Sequence, residues 1–298
     1  MSAPAVSIVV STYEYPGALD AVLRALSDQS ESDFEVVVAD DGSGPETEAL
    51  VNAWLRSFGD DRLRHVRQPH EGFRVARVRN LGALVARGAY LAFLDGDCVP
   101  RRHLVRALLR SVHPSWFACT YRFDLSPALT RSILDGELPV HRWSLVTWAR
   151  RLGREEGSLA WLTPRDRRRV GRSGTPGFAP PLNNYGFLHV SRADFERANG
   201  YDARYEGWGA EDTDLGMRLL RLGLRCGWPG PQATLFHLWH ESRKDRTRAY
   251  KPKLQETRSG SRAEAIVGVR ELAVELGLGQ VSANRVGASS LSSDPENR

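Results

Sequence analysis

The sequence is poor in sulfur and nearly without lysine. It has 3 Cys and 2 Met in 298 residues, and only Lys244, Lys251 and Lys253 among its 41 basic side chains, leaving 38 Arg. Cys98, Cys119 and Cys226 stand apart with no CxxC spacing. That excludes a secreted disulfide framework and points to a reducing compartment. No apolar run approaches the ~18 residues that a membrane-spanning helix needs. The opening MSAPAVSIVV has no basic n-region, which reads against a signal peptide. A soluble, cytoplasmic protein is the expectation. Neither GxxxxGK[ST] nor GxGxxG occurs, so a P-loop and a dinucleotide fingerprint are both excluded.

What is present is an ordinary globular composition, 41% hydrophobic and 26% charged, long enough for one large domain or two modest ones. The net charge of +5 first suggests a nucleic-acid partner. Residues 142–172, however, carry nine Arg against Glu155, Glu156 and Asp166, which is +6, so the remainder sums to −1. The excess is local, and no nucleic-acid partner is expected. This Arg-rich insert, extended to residue 181 by Gly and Pro, reads as a mobile loop whose charge suits an anionic partner or peripheral contact with the inner membrane face.

The first third alternates strands and helices. Val6–Val10, Phe34–Ala39, Leu63–Val66 and Ala89–Leu94 read as strands. Between them fall helical patterns at Leu19, Val22, Leu23 and Leu26, at Val51, Trp54, Leu55 and Phe58, and over residues 74–87. This order predicts an α/β fold with a parallel, doubly wound sheet. Trp116–Phe123 reads as one further strand, residues 211–222 as a helix and Ala233–Leu238 as a strand. Ile266, Val269, Ala273 and Leu276 mark a last helix, and residues 282–298 read as a disordered tail.

Ligands of such sheets bind beyond the carboxyl ends of the strands. Ser11-Thr12-Tyr13, Asp40-Asp41-Gly42-Ser43 and Asp95-Gly96-Asp97 all follow buried strands. Adjacent strands would place an aromatic ring, a carboxylate and a metal site in a row, matching base, ribose and diphosphate. Asp95 and Asp97 can reach one divalent cation, Mg²⁺ or Mn²⁺ by their hard oxygens; a polar turn is the plainer alternative. Arg77 is placed to approach a phosphate. Arg74 and Arg79 read as solvated, with a structural role for Arg79 and Asn80 equally open. In Gly207-Trp208-Gly209-Ala210-Glu211-Asp212-Thr213-Asp214, glycines flank an aromatic platform for a sugar face. The acids cap a helix, and one could act as general base. His237-x-x-His240 after a strand suits a metal or a phosphate, although a lone buried His is usually structural.

In combination these segments resemble the family-2 glycosyltransferases of the GT-A fold over roughly residues 5–245. VSIVVSTYE, VVVADDGSG, GFRVARVRNLGALVARGAYLAFLDGDCVP and GYDARYEGWGAEDTDLGMRLLRLG carry the resemblance. The later segments, with LFHLWHE, look most like chondroitin-polymerase and chondroitin N-acetylgalactosaminyltransferase catalytic domains. The resemblance implies a mostly parallel central sheet flanked by helices, with a C-terminal helical extension. It implies a nucleotide-binding half over 1–115, an acceptor-binding and catalytic half over 116–245 and the extension over 246–281.

It also implies an inverting, metal-dependent hexosyltransferase, with a UDP-hexose or UDP-N-acetylhexosamine donor and a glycan or lipid-linked acceptor. By matching position, Asp41 would contact uracil with Ser11 and Tyr13, and Asp95 would lie near the ribose. Asp97 would bind Mn²⁺ or Mg²⁺, with His237 or else His240 as a further ligand. Asp212 would be the base, Glu211 its competitor, and Asn184 a sugar contact. Ala210 replaces the usual second Gly, and Pro-Leu-Asn-Asn-Tyr-Gly lacks the common Gly-Gly-Asn, which leaves the donor sugar open. A nucleotide-sugar-binding module without turnover, and a GDP- or dTDP-sugar enzyme, are the alternatives.

Overall fold

The computed structural model describes residues 3–58, 61–120, 122–144, 146–147, 150, 187–241 and 249–278. Asn184, most of the Arg-rich insert and the tail lie outside the described residues.

β1 (Val6–Thr12), β2 (Phe34–Asp40), β3 (Leu63–Arg67) and β4 (Tyr90–Asp95) form the parallel half of a seven-stranded sheet, in the order β3-β2-β1-β4. The sheet continues past β4 with β8 (Phe187–Ser191), β6 (Trp116–Cys119) and β9 (Arg225–Gly227). β8 runs antiparallel to both β4 and β6. Strand residues alternate between two cores. Val6, Ile8 and Val10 join Val36, Val38, Ala92 and Leu94 on one face, while Val9, Val37, Leu91 and Phe93 line the other. Burial on both faces explains why these strands read as continuous apolar runs.

Helices α1 (Pro16–Ser27) and α2 (Pro45–Phe58) follow β1 and β2, each beginning with a proline pre-set for the first turn. Leu19, Val22, Leu23 and Leu26 of α1 are fully buried, as the 3.6-residue period demands. The helix after β3, α3 (Val75–Val85), buries Arg79 and Asn80 as well as its apolar face. Two short helices, α4 (Leu104–Ser111) and α5 (Pro127–Leu134), and α6 (Arg192–Arg197) complete the frame around the sheets.

The strand expected over Trp116–Phe123 is two strands. Its second part, β7 (Arg122–Asp124), belongs with β5 (Cys98–Pro100) and β10 (Leu235–His237) in a separate sheet, in the order β5-β10-β7. Its register sets His237 opposite Cys98 on one side and Asp124 on the other. This small sheet joins segments more than a hundred residues apart.

α7 (Glu211–Arg221) lies at the other side of the cleft described below. Its Asp214 and Arg218 form a fully buried ion pair, and Thr257 donates to Asp214 at 2.6 Å. That contact fastens α8 (Lys251–Ser259), and α9 (Val269–Glu275) packs on α3. Ile266, expected on this last helix, lies before it and is exposed. No helix among the described residues is long and apolar enough to cross a membrane.

Candidate active site

The parallel strands end together. Register pairs Ser11 with Ala39 and with Asp95, so the polar residues after β2, β1 and β4 share one edge. Two glycines are needed there. Gly42 has φ +86°, and a Cβ on it would lie 2.5 Å from the His70 backbone nitrogen. A Cβ on Gly96 would meet the Ser11 carbonyl at 2.7 Å, the same oxygen that accepts from Gly96 N–H at 2.8 Å. The glycine of Asp95-Gly96-Asp97 therefore lets β4 turn directly over β1.

A cleft of about 430 Å³ opens on this edge, within the range of small-molecule sites. Ser11, Tyr13, Asp41, Asp95, Asp97, Trp208, Glu211, His237 and His240 all line it. The structure thus brings together nine of the residues singled out in the sequence. Tyr13 stacks on His70, with ring centres 4.2 Å apart. The Asp41 carboxylate accepts from Gln68 Nε2 at 2.5 Å and from Arg74 N–H at 2.8 Å. Asp40 instead closes the turn, accepting from both Ser43 N–H and Ser43 Oγ.

Arg77 corrects the sequence reading. Its guanidinium turns away from the cleft, donates to Gln68 Oε1 at 2.8 Å and pairs with Glu275 of α9. Arg79, two residues on, is the cation that reaches the site, because α3 presents the two positions in different directions.

At one end of the cleft, Asp97 faces both histidines. Its Oδ2 lies 3.5 Å from His237 Nε2 and 3.3 Å from His240 Nε2. The three residues offer ligand atoms that all lie within 4.8 Å of one another. His237 Nδ1 also bonds Asp124 at 2.8 Å, a partner that orients the ring and leaves Nε2 facing Asp97. Burial tends to lower the His237 pKa, but Asp124 and Asp97 overcome it and raise it to about 9. Asp97 holds His240 above its ordinary value against a smaller opposing effect of burial. One carboxylate and two convergent imidazoles, one of them held by Asp124 from behind, fit a divalent cation.

Across the cleft, Arg79 is buried to 3% exposure and gathers three acids. It donates to Asp95 at 2.6 Å, to Asp212 at 3.1 Å and to Glu211 at 3.3 Å. Burial disfavours its charge, yet Asp212, Tyr201, Asp95 and Glu211 keep it protonated. Burial and the neighbouring Asp212 push Glu211 up to about 7, against the pull of Arg79. Asp212 is raised by its burial as well, with Arg79 opposing. Both carboxyls are thus raised above the ordinary carboxylate value, which suits proton abstraction.

Arg122 also lines the cleft, 4.0 Å from Asp95 and 3.5 Å from Asp124. The sequence offered no motif for it beyond its place on a strand. Phe73, Tyr15 and Trp239 add aromatic surface to the cleft that sequence reasoning also missed. Ala210, at the head of α7, has φ +75°, a left-handed conformation costing roughly 1–2 kcal/mol for a residue with a Cβ. Ala210→Gly is expected to raise unfolding stability by at most about 1 kcal/mol, since part of the relief returns as unfolded-chain entropy. Urea denaturation measures it, and a loss of stability would contradict the strain.

A glycosyltransferase architecture is what this fold and cleft define, and the chain belongs to the family-2 glycosyltransferases, of GT-A fold. Residues 7–123 match Glycosyl transferase family 2, and residues 175–241 match the N-terminal domain of galactosyltransferase. A validoxylamine A glucosyltransferase of Streptomyces hygroscopicus subsp. jinggangensis is 33% identical over 236 residues, covering 74% of this chain and 52% of its own. The chondroitin synthase of Escherichia coli is 28% identical over 231 residues, covering 73% of this chain and 32% of its own. The chain thus spans about half the length of the first relative and a third of the second. A mannosyltransferase from Pyrobaculum calidifontis, solved with GDP-Man and Mn²⁺, shares the fold with a TM-score of 0.56 at 18% identity. That match covers 92% of this chain and 65% of the other.

Proposed function

We propose that the chain transfers a hexose or N-acetylhexosamine from a nucleotide-sugar donor to a hydroxyl of a glycan or lipid-linked acceptor, with inversion and a divalent metal. The observation that carries this reading is that Asp97, His237 and His240 line one cleft with Arg79 and Glu211, and that Asp212, next to the cleft wall, bonds the same Arg79. In this reading residues 1–115 hold the nucleotide and residues 116–245 bring the acceptor and base. Tyr13 lies against the base, Asp41 accepts a base N–H, and Asp95 lies beside the ribose.

Asp97, His237 and His240 would hold the metal, which when bound neutralises charge on the leaving diphosphate. Mixed carboxylate and imidazole donors favour Mn²⁺ over Mg²⁺. Arg122 adds fixed positive charge beside Asp95. Trp208 offers a ring face to the acceptor, and Asp212 takes the proton of its hydroxyl as that oxygen attacks the anomeric carbon. The bond from that carbon to the diphosphate breaks, and the electron pair leaves with the diphosphate.

A screen of UDP-, GDP- and dTDP-sugars with Mn²⁺, reading released nucleotide, tests the proposal. Release from a UDP-sugar, abolished by chelation, is expected. No release from any donor, with no nucleotide-induced thermal stabilisation, would sink it. Stabilisation without release would instead favour a binding module.

A further inference from the structure

Among the described residues, two side chains donate to the Asp212 carboxylate, and both bonds fall on the same oxygen. Arg79 Nη1 reaches Oδ1 at 3.1 Å, and the Tyr201 hydroxyl reaches the same Oδ1 at 3.0 Å. Neither donor is a mobile surface group. Tyr201 is fully buried, its ring lies against Phe93, and the Arg79 guanidinium sits 5.2 Å from its centre.

The two donors are held by adjacent residues of α3. Arg79 contacts Asp212 directly, while Asn80 clasps the Tyr201 backbone from both sides. Tyr201 N–H donates to Asn80 Oδ1 at 2.9 Å, and Asn80 Nδ2 donates to the Tyr201 carbonyl at 2.8 Å. Gly200 makes this clasp feasible, since a Cβ there would stand 2.6 Å from Asn80 Oδ1. Arg79 also grips Asp95 at the end of β4. One helix turn therefore fixes the Asp212 carboxyl relative to the strand end on the other side of the cleft.

We propose that Arg79 and Tyr201 are positioning residues that occupy Oδ1 of Asp212 and leave Oδ2 as the oxygen that receives the acceptor proton. The inference rests on Asp212 being the base and adds which oxygen acts and what aims it. A base carboxylate is effective only within hydrogen-bond reach of the proton that it takes, so a free rotation of the carboxyl would dilute that geometry. Charged and titratable groups face Asp212 from every neighbouring element: Arg79 from α3, Asp95 from β4, Cys119 from β6, Arg122 from β7, Tyr201 before α7 and Glu211 within it. Of these, Arg79, Tyr201 and Arg122 favour the carboxylate.

Tyr201→Phe keeps the ring and removes one donor, so it tests the clamp with the least risk to folding. A ¹³C carboxyl NMR titration, with Asp212 assigned from the Asp212→Asn spectrum, needs no substrate. The Asp212 midpoint is expected to rise by about one pH unit in Tyr201→Phe, the loss of one hydrogen bond to a charged group. With donor and Mn²⁺, kcat should fall about tenfold at unchanged donor KM. The acid limb of its pH profile should move upward, and Arg79→Lys should keep part of the rate by retaining the charge. Equal midpoints in the wild type and Tyr201→Phe would overturn the clamp. Full transfer by Asp212→Asn would instead overturn the base reading, so the two failures are distinct.

Discussion

Asp212→Asn is expected to lower transfer by about a hundredfold or more while leaving donor binding intact, because general-base catalysis contributes roughly 10²–10⁴. The amide preserves size and keeps an oxygen for Arg79, so α7 and its contacts should survive. What it loses is the capacity to take a proton. Steady-state kinetics and calorimetric titration of the donor separate the two effects: kcat collapses and Kd holds. Transfer at the wild-type rate would remove Asp212 from this role. Glu211→Gln is the needed companion, since both acids share Arg79. Burial and the neighbouring Asp212 put Glu211 at about 7, and burial, with Asp95 nearby, raises Asp212 above the ordinary carboxylate value. At low pH the carboxyls are protonated and accept nothing, so kcat should rise with pH, its acid limb above the ordinary carboxylate range, and then level off. Activity that falls as pH rises through that limb would contradict a carboxylate base.

The second large effect concerns Asp97. Asp97→Asn is expected to abolish metal-dependent nucleotide binding, because it removes the one carboxylate onto which both imidazoles converge. The pH sign follows from the ring protons. Without a cation, Asp97 and Asp124 hold His237 protonated up to about 9. A metal binds only the neutral ring, so binding must release that proton. Apparent Mn²⁺ affinity should therefore increase as pH rises from about 6 to 9, with proton uptake by buffer visible in calorimetry. Affinity independent of pH over this range would contradict imidazole ligation. His237→Ala should weaken Mn²⁺ more than His240→Ala, since His237 is the ring oriented by a second carboxylate, Asp124, at 2.8 Å.

Much of this was legible before any coordinates. The β-branched runs at 6–10 and 34–39 announce strands buried on both faces, and polar residues directly after them mark the ligand edge. The parallel half of the sheet and the cleft residues Ser11, Tyr13, Asp41, Asp95 and Asp97 follow from that rule, whereas Trp208 and Glu211 are marked by glycines at a helix entry and His237 and His240 by the end of a later strand. The misreadings share a physical origin. Trp116–Phe123 is mostly apolar and aromatic, and nothing in its local pattern records that Cys119 and Arg122 pair with different sheets. Arg77 and Arg79 are both arginines on one helix. Only the packing of α3 decides that Arg77 meets Glu275 while Arg79 meets Asp95, Asp212 and Glu211. Two of the three acids that hold this buried cation, Glu211 and Asp212, are more than a hundred residues away, and local periodicity carries no trace of them. The convergence of His240 as well as His237 on Asp97 was likewise open in sequence, because both histidines flank the end of one short strand. The Asn184 expectation falls outside the described residues.

The most direct test is an anomalous-difference map from crystals grown with UDP and Mn²⁺. The account predicts one peak within coordination distance of Asp97 and at least one of the His237 and His240 rings, with the diphosphate on the ion and the base beside Tyr13 and Asp41. A nucleotide bound away from the ends of β1, β2 and β4, or an ion held by other residues, would contradict it.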